Sequence, residues 1–85
     1  MFFTYVIRNE SKKKIYIGQT NDWEKRLKRH NGELPSKKSS YTSINNGEWK
    51  IVHLEEYNTR SEAIKREKYL KSHRGRDWLK ITLGR

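Results

Sequence analysis

"IYIGQTNDWEKRLKRH", residues Ile15 to His30, passes from a β-prone apolar run through a polar turn into a segment of helical character. "NDWE" supplies the helix start. Asn21 is the expected N-cap, and Glu24 three residues later completes a capping box. The helix is expected to run to about His30 and to end at Asn31-Gly32. At about 100° per residue, Trp23, Arg26, Leu27 and His30 fall within roughly 100° of one another. Trp23 and Leu27 are expected to face the core, so Arg26 and His30 turn inward with them. An unpaired inward guanidinium costs several kcal/mol, and the question is what anion it meets.

On the N-terminal side, "FFTYVIR" (Phe2–Arg8) and "KIYIG" (Lys14–Gly18) are rich in aromatic and β-branched residues and are separated by the polar "NESKK". They predict an antiparallel hairpin. With an even number of residues in the connection, Tyr5 is expected across from Tyr16, and Val6, Ile15 and Ile17 share the other face. One face is then aliphatic, and the other carries two phenols beside Gly18. On the C-terminal side, a polar stretch from Asn31 to Glu48 holds Lys37, Lys38, four serines and Tyr41, and is expected as an ordered loop or a short irregular helix. "WKIVHLEEY" (Trp49–Tyr57) predicts a third strand. "TRSE" gives a capping box, Thr59 with Glu62, opening a helix to about Ser72. Gly75 is expected to break the chain before a short last helix over Asp77–Leu83. The expected order is β-β-α-β-α-α: one α+β domain over residues 1–85, with a mostly antiparallel three-stranded sheet flanked by helices.

The chain has 85 residues, no cysteine, and 20 basic against 10 acidic residues, a formal net charge of +10. Neither a disulfide framework nor a thiolate metal cage is available. The charge predicts a polyanionic partner, because lysine and arginine gain free energy by releasing phosphate counterions. No apolar run approaches the roughly 18 residues of a membrane span, and the N-terminus lacks a signal-peptide pattern. A soluble, cytoplasmic protein with no membrane partner is expected.

The second long helix repeats the inward-charge conflict. Ala63, Ile64 and Leu70 define its apolar stripe, and Glu67 projects among them. Glu67 alone is open to a structural explanation, an ion pair with Lys71 at i+4, and His30 alone to capping its helix end. Taken together, two phenols, a guanidinium, an imidazole and a carboxylate form the set that phosphodiester cleavage needs. The acid holds a divalent metal, the guanidinium neutralises phosphate charge, and a phenol or imidazole moves protons.

These residues also carry a resemblance. "TYV" (Thr4–Val6) and "YIG" (Tyr16–Gly18), an arginine and a histidine at Arg26 and His30, and "SEAIKREKYLK" with its glutamate at Glu67 are similar, at matching separations, to the GIY-YIG nuclease superfamily. That superfamily includes the nuclease domain of an excision-repair protein and the GIY-YIG homing endonucleases. The resemblance covers nearly the whole chain. The first motif lacks its glycine and first isoleucine, and Gln19 stands where certain repair-type members carry lysine. The asparagine some larger members place near the domain end has no clear match.

The resemblance implies an endonuclease that uses one divalent metal, magnesium or manganese, to hydrolyse nucleic acid, with DNA the favoured substrate. It implies that Glu67 binds the metal, that Tyr5 helps activate the attacking water, and that Tyr16 positions that water. Arg26 would stabilise phosphate charge, His30 would bond a phenol or the phosphate and share proton transfer, and Gly18 would leave room for the substrate backbone. Lys37, Lys38, Tyr41, Arg74 and Arg76 are the further candidates for nucleic-acid contact. The competing reading is a basic nucleic-acid-binding module that does not cut. A basic structural protein of a ribonucleoprotein is a third, with no use for the facing tyrosines. Repair, recombination, defence and turnover are all compatible roles.

Overall fold

Strand β1 (Phe2–Asn9) carries an unbroken buried run, Thr4 to Ile7. A strand apolar on both faces belongs in the middle of a sheet covered on both sides. The computed structural model, which describes residues 1–33 and 47–84, places it there. The sheet order is β2-β1-β3, with β2 Lys14–Thr20 and β3 Trp49–Tyr57, and both pairings are antiparallel. On one face Val6 and Ile17 pack with Leu70 of α2 (Arg60–Lys71) and Leu79 of α3 (His73–Thr82). On the other, Tyr5, Ile7 and Trp49 pack with Tyr16, Ile51 and Leu27 of α1 (Trp23–His30). The order β-β-α-β-α-α and the α+β class follow the sequence reading.

The hairpin keeps its expected parity but shifts by two residues. Tyr5 faces Gly18 and Tyr16 faces Ile7, so the two tyrosines share a face diagonally instead of standing opposite. Val6, Ile15 and Ile17 take the face their alternation predicts. Between Val6 and Ile7 the pairing with β3 slips at a bulge: Val6 meets His53, whereas Ile7 meets Ile51. The extra residue resets the alternation, so Ile51 packs in the tyrosine cluster while Val52 packs with the aliphatic one.

The helix starts show what the sequence rules missed. Asp22, not Asn21, caps α1 and accepts from the Lys25 amide at 3.1 Å. The Thr20 hydroxyl accepts from the Asp22 amide at 3.2 Å and tightens the turn out of β2. The helix therefore begins one residue later, and Glu24 is left in the first turn, where its charge favours the dipole. Trp23 is partly exposed and joins neither cluster, so only Leu27 of the expected pair packs inward. The Thr59–Glu62 capping box forms as predicted. The Thr4 hydroxyl donates to the Ala63 carbonyl at 2.8 Å and ties α2 to β1, one turn before Glu67. Asn31 spans the ends of the described segments: it accepts from the Trp49 amide at 2.7 Å and donates to the Trp49 carbonyl at 3.0 Å. The polar stretch with Lys37, Lys38 and Tyr41 lies, over residues 34–46, outside the described residues. Among the described residues no helix is long and apolar enough to cross a membrane.

Gly75 does not break the chain. Ser72 ends α2 and caps α3, accepting from the Gly75 amide at 3.2 Å, and Gly75 sits buried inside α3. A Cβ at Gly75 would lie 2.0 Å from the Tyr69 carbonyl oxygen and 2.5 Å from Leu70 Cα. Glycine is there because two helical backbones touch, which propensity alone cannot reveal. Gly75→Ala is therefore expected to lower stability by about 3 kcal/mol or more, the upper end for overpacking against backbone. Thermal unfolding of the variant is the measurement, and an unchanged melting temperature would refute the backbone contact.

Candidate active site

The alternation of β1 and β2 puts Tyr5, Tyr16 and Gly18 on one face, and α1 lays His30 and Arg26 over them. Tyr5 is 1% exposed, and its hydroxyl shares a hydrogen bond with His30 Nε2 at 2.9 Å. The rings of Tyr16 and His30 are 4.8 Å apart, and the two tyrosine rings 6.2 Å apart. Arg26 contacts both phenols through its guanidinium. Its Nε is buried with no hydrogen-bond partner among the described residues, and so is that of Arg29.

Gly18 has a packing reason as well as the expected functional one. A Cβ there would fall 2.6 Å from the Tyr5 hydroxyl oxygen and 3.0 Å from the Tyr16 ring. The space that the missing side chain leaves is filled by the Tyr5 phenol, which lies directly across the ladder. A ring so buried cannot swing away.

The charges set each group's protonation state. Burial, followed by Tyr16, pushes Tyr5 far above the usual phenol range, with Glu67 adding to the rise and Arg26 opposing it. Tyr5 therefore stays a neutral hydroxyl. Partial burial, then the cations of Arg26 and Arg29, hold His30 down at about 4, so its imidazole is neutral at physiological pH. Burial works against the Arg26 charge, yet the phenol contacts outweigh it and raise its pKa.

Glu67 reaches the site from α2, close enough to act electrostatically on Tyr5. Lys71 Nζ donates to Glu67 Oε2 at 2.6 Å, the i+4 pair that the sequence allowed. Its other carboxylate oxygen has no hydrogen bond among the described residues, and the Glu67 side chain is 20% exposed. Those residues hold no cluster of three or more potential metal-ligating side chains of the His, Cys, Asp or Glu type. A single hard carboxylate nevertheless fits magnesium, which keeps most of its waters and takes one or two protein oxygens.

The fold thus gathers Tyr5, Tyr16, Gly18, Arg26 and His30, with Glu67 in electrostatic range. Arg76 lines a groove with Tyr16 and Lys71, while Arg74 is exposed on α3. Arg29 is the member that sequence reasoning passed over. Its signal was its position, adjacent to His30 and one turn beyond Lys25, in a helix whose last three residues are all basic.

The family model of the GIY-YIG catalytic domain matches residues 1–80. Among solved structures, the fold is similar to the solution NMR structure of a UPF0213 protein from Bacillus halodurans. That likeness has 23% identity and a TM-score of 0.53, and covers 98% of this chain and 85% of the other. No curated protein matches the sequence.

Two measurements test this geometry. Gly18→Ala is expected to cost about 1–3 kcal/mol by overpacking and to lengthen the Tyr5–His30 hydrogen bond, read from unfolding and from the imidazole resonances. The second concerns pH. The folded His30 pKa lies below the unfolded value, so the unfolded chain binds the extra proton first, and stability rises with pH across the gap. His30's contribution is expected to be complete above about 6.5 and to be lost as pH falls towards about 4. His30→Gln should remove that part of the pH dependence of the melting temperature, and the same slope in the variant would count against a neutral His30.

Proposed function

The chain belongs to the GIY-YIG family, a family of nucleases, and from that premise we propose that it is a metal-dependent endonuclease acting on DNA. The observation that carries the reading is the Tyr5–His30 hydrogen bond, 2.9 Å long, beneath an inward Arg26 that contacts both phenols. A structural ion pair would have matched Arg26 with a carboxylate. Instead its neighbours are phenols and a neutral imidazole, and its Nε lacks a partner among the described residues. Such a cation calls for an anion, and a phosphate supplies one.

Glu67 would hold the divalent metal, and the bound ion would supply charge neutralisation at the phosphate and leaving oxygen. Arg26 binds the non-bridging oxygens and is aimed at charge that grows in the transition state. Tyr16, the more exposed phenol, positions the water, and Tyr5 helps to activate it by carrying its proton inward to His30. At rest His30 is a weak base, held at about 4 by burial and by Arg26 and Arg29. A bound phosphate offsets those cations, and an anion nearby raises a histidine pKa. Substrate binding therefore readies the base. The net charge of +10 supports a polyanionic substrate.

A non-catalytic nucleic-acid-binding module is favoured by one observation, the Glu67–Lys71 ion pair, which gives the carboxylate a structural use. Cleavage of labelled duplex, single-stranded and branched DNA, with and without magnesium, separates the two. Glu67→Gln is expected to abolish metal-dependent cleavage while binding in chelator is kept or improved, and full activity in that variant would remove the metal assignment. Arg26→Ala is expected to lower the single-turnover rate by about 10²–10³-fold with a much smaller change in affinity. Arg26→Lys should rescue little, because an ammonium cannot make the planar two-pronged contact. A loss of affinity that accounts for the whole loss of rate would reduce Arg26 to a phosphate anchor.

A further inference from the structure

Strand β2 is an edge of the sheet, and no strand pairs with its outer side among the described residues. Two grooves open along it, one on each side of Gly18. The first, about 480 Å³, takes residues 13–17 of the chain together with Lys71 and Arg76. The second, about 300 Å³, takes residues 19–22 with Lys25, Arg26, Arg29 and Arg60. Each is lined by four cations: Lys13, Lys14, Lys71 and Arg76 in the first, and Lys25, Arg26, Arg29 and Arg60 in the second. The first has no carboxylate in its lining. The second has one, Asp22, already engaged in capping α1. Tyr16 belongs to the first groove and Arg26 to the second, so each groove takes in one residue of the proposed site.

Several of these cations are held in place rather than left to wander. Arg60 stacks over Phe2, its guanidinium 4.7 Å from the ring centroid, and donates to Gln19 at 3.0 Å. Arg76 donates through Nε to the Lys71 carbonyl at 3.3 Å. Arg29 keeps a buried Nε with no partner among the described residues. Cations in both grooves, with Gly18 between them in the chain, suit a chain of evenly spaced negative charges and not a single small anion.

We propose that one polynucleotide strand runs along the outer edge of β2, its phosphates held by Lys13, Lys14 and Arg76 on one side of the site and by Lys25, Arg29 and Arg60 on the other. The strand then passes the site as an internal segment with nucleotides held on both sides, the geometry of an endonuclease rather than of an enzyme that trims ends. This rests on the nucleic-acid reading of the site, but not on its catalysis.

The test is binding of the intact chain to short single-stranded DNA and RNA oligonucleotides of one sequence, in chelator, by fluorescence anisotropy over a range of salt. For single strands each lost phosphate contact removes about 0.7 from the log–log salt slope. Lys13→Ala/Lys14→Ala/Arg76→Ala is expected to flatten the slope by about 2, and Lys25→Ala/Arg60→Ala by about 1.4, with the combined variant losing the sum. Lys65→Ala/Lys68→Ala, on the exposed side of α2 and outside both grooves, should leave the slope unchanged. Melting temperatures guard against misfolding, and glutamine replacements at the same positions serve where an alanine variant unfolds. An unchanged slope in either groove variant, or an equal loss in the α2 variant, overturns the track. Tight binding with these slopes but no cleavage in magnesium leaves the track standing and removes the nuclease reading. Cleavage with unchanged slopes does the reverse.

Discussion

Everything at the candidate site hangs on one close contact, the Tyr5 phenol seated where a side chain at position 18 would be. β1 is buried on both faces, so Tyr5 cannot leave, and its hydroxyl must find a partner inside. Gly18 supplies the space and His30 the hydrogen bond. Because Tyr5 comes from the central strand, Tyr16 from the edge strand and His30 from α1, that single packing event fixes three elements together. Any change that moves the phenol moves the imidazole with it.

The electrostatics follow from the same enclosure. Burial keeps both Tyr5 and His30 neutral, while Arg26 and Arg29 remain charged beside them. The result is positive charge held beside neutral hydrogen-bonding groups. Glu67 completes the set from the opposite side of the sheet. The Thr4–Ala63 hydrogen bond holds its helix against β1, and Lys71 pairs with the carboxylate.

The chain belongs to the GIY-YIG family, and two local features shape its candidate site. The bulge at Val52 keeps Ile51 under the tyrosine cluster, and Gly75 lets α3 lie directly against the end of α2, which brings Arg76 to the groove beside Tyr16. Basic residues stand on both sides of β2, an edge strand, and charge is one device that blunts a strand edge against aggregation.

The sequence by itself determined the order of the elements and which candidate residues share a face. Alternation set the faces of β1 and β2, the Thr59–Glu62 box opened α2, and helical spacing put Arg26 and His30 on one side and Glu67 among apolar neighbours. Those are local properties, governed by a period of two or about 3.6 residues and by backbone groups that need partners within a turn. What only the tertiary structure decided was contact between elements distant in the chain. The two-residue shift that sets Tyr5 against Gly18, the bulge in β3 and the glycine buried inside α3 all answer to neighbours that the local pattern does not name. Periodicity carries no information about such neighbours, because a missing Cβ reads as a turn or a break in the sequence and becomes a contact only when another backbone or ring arrives to fill its place.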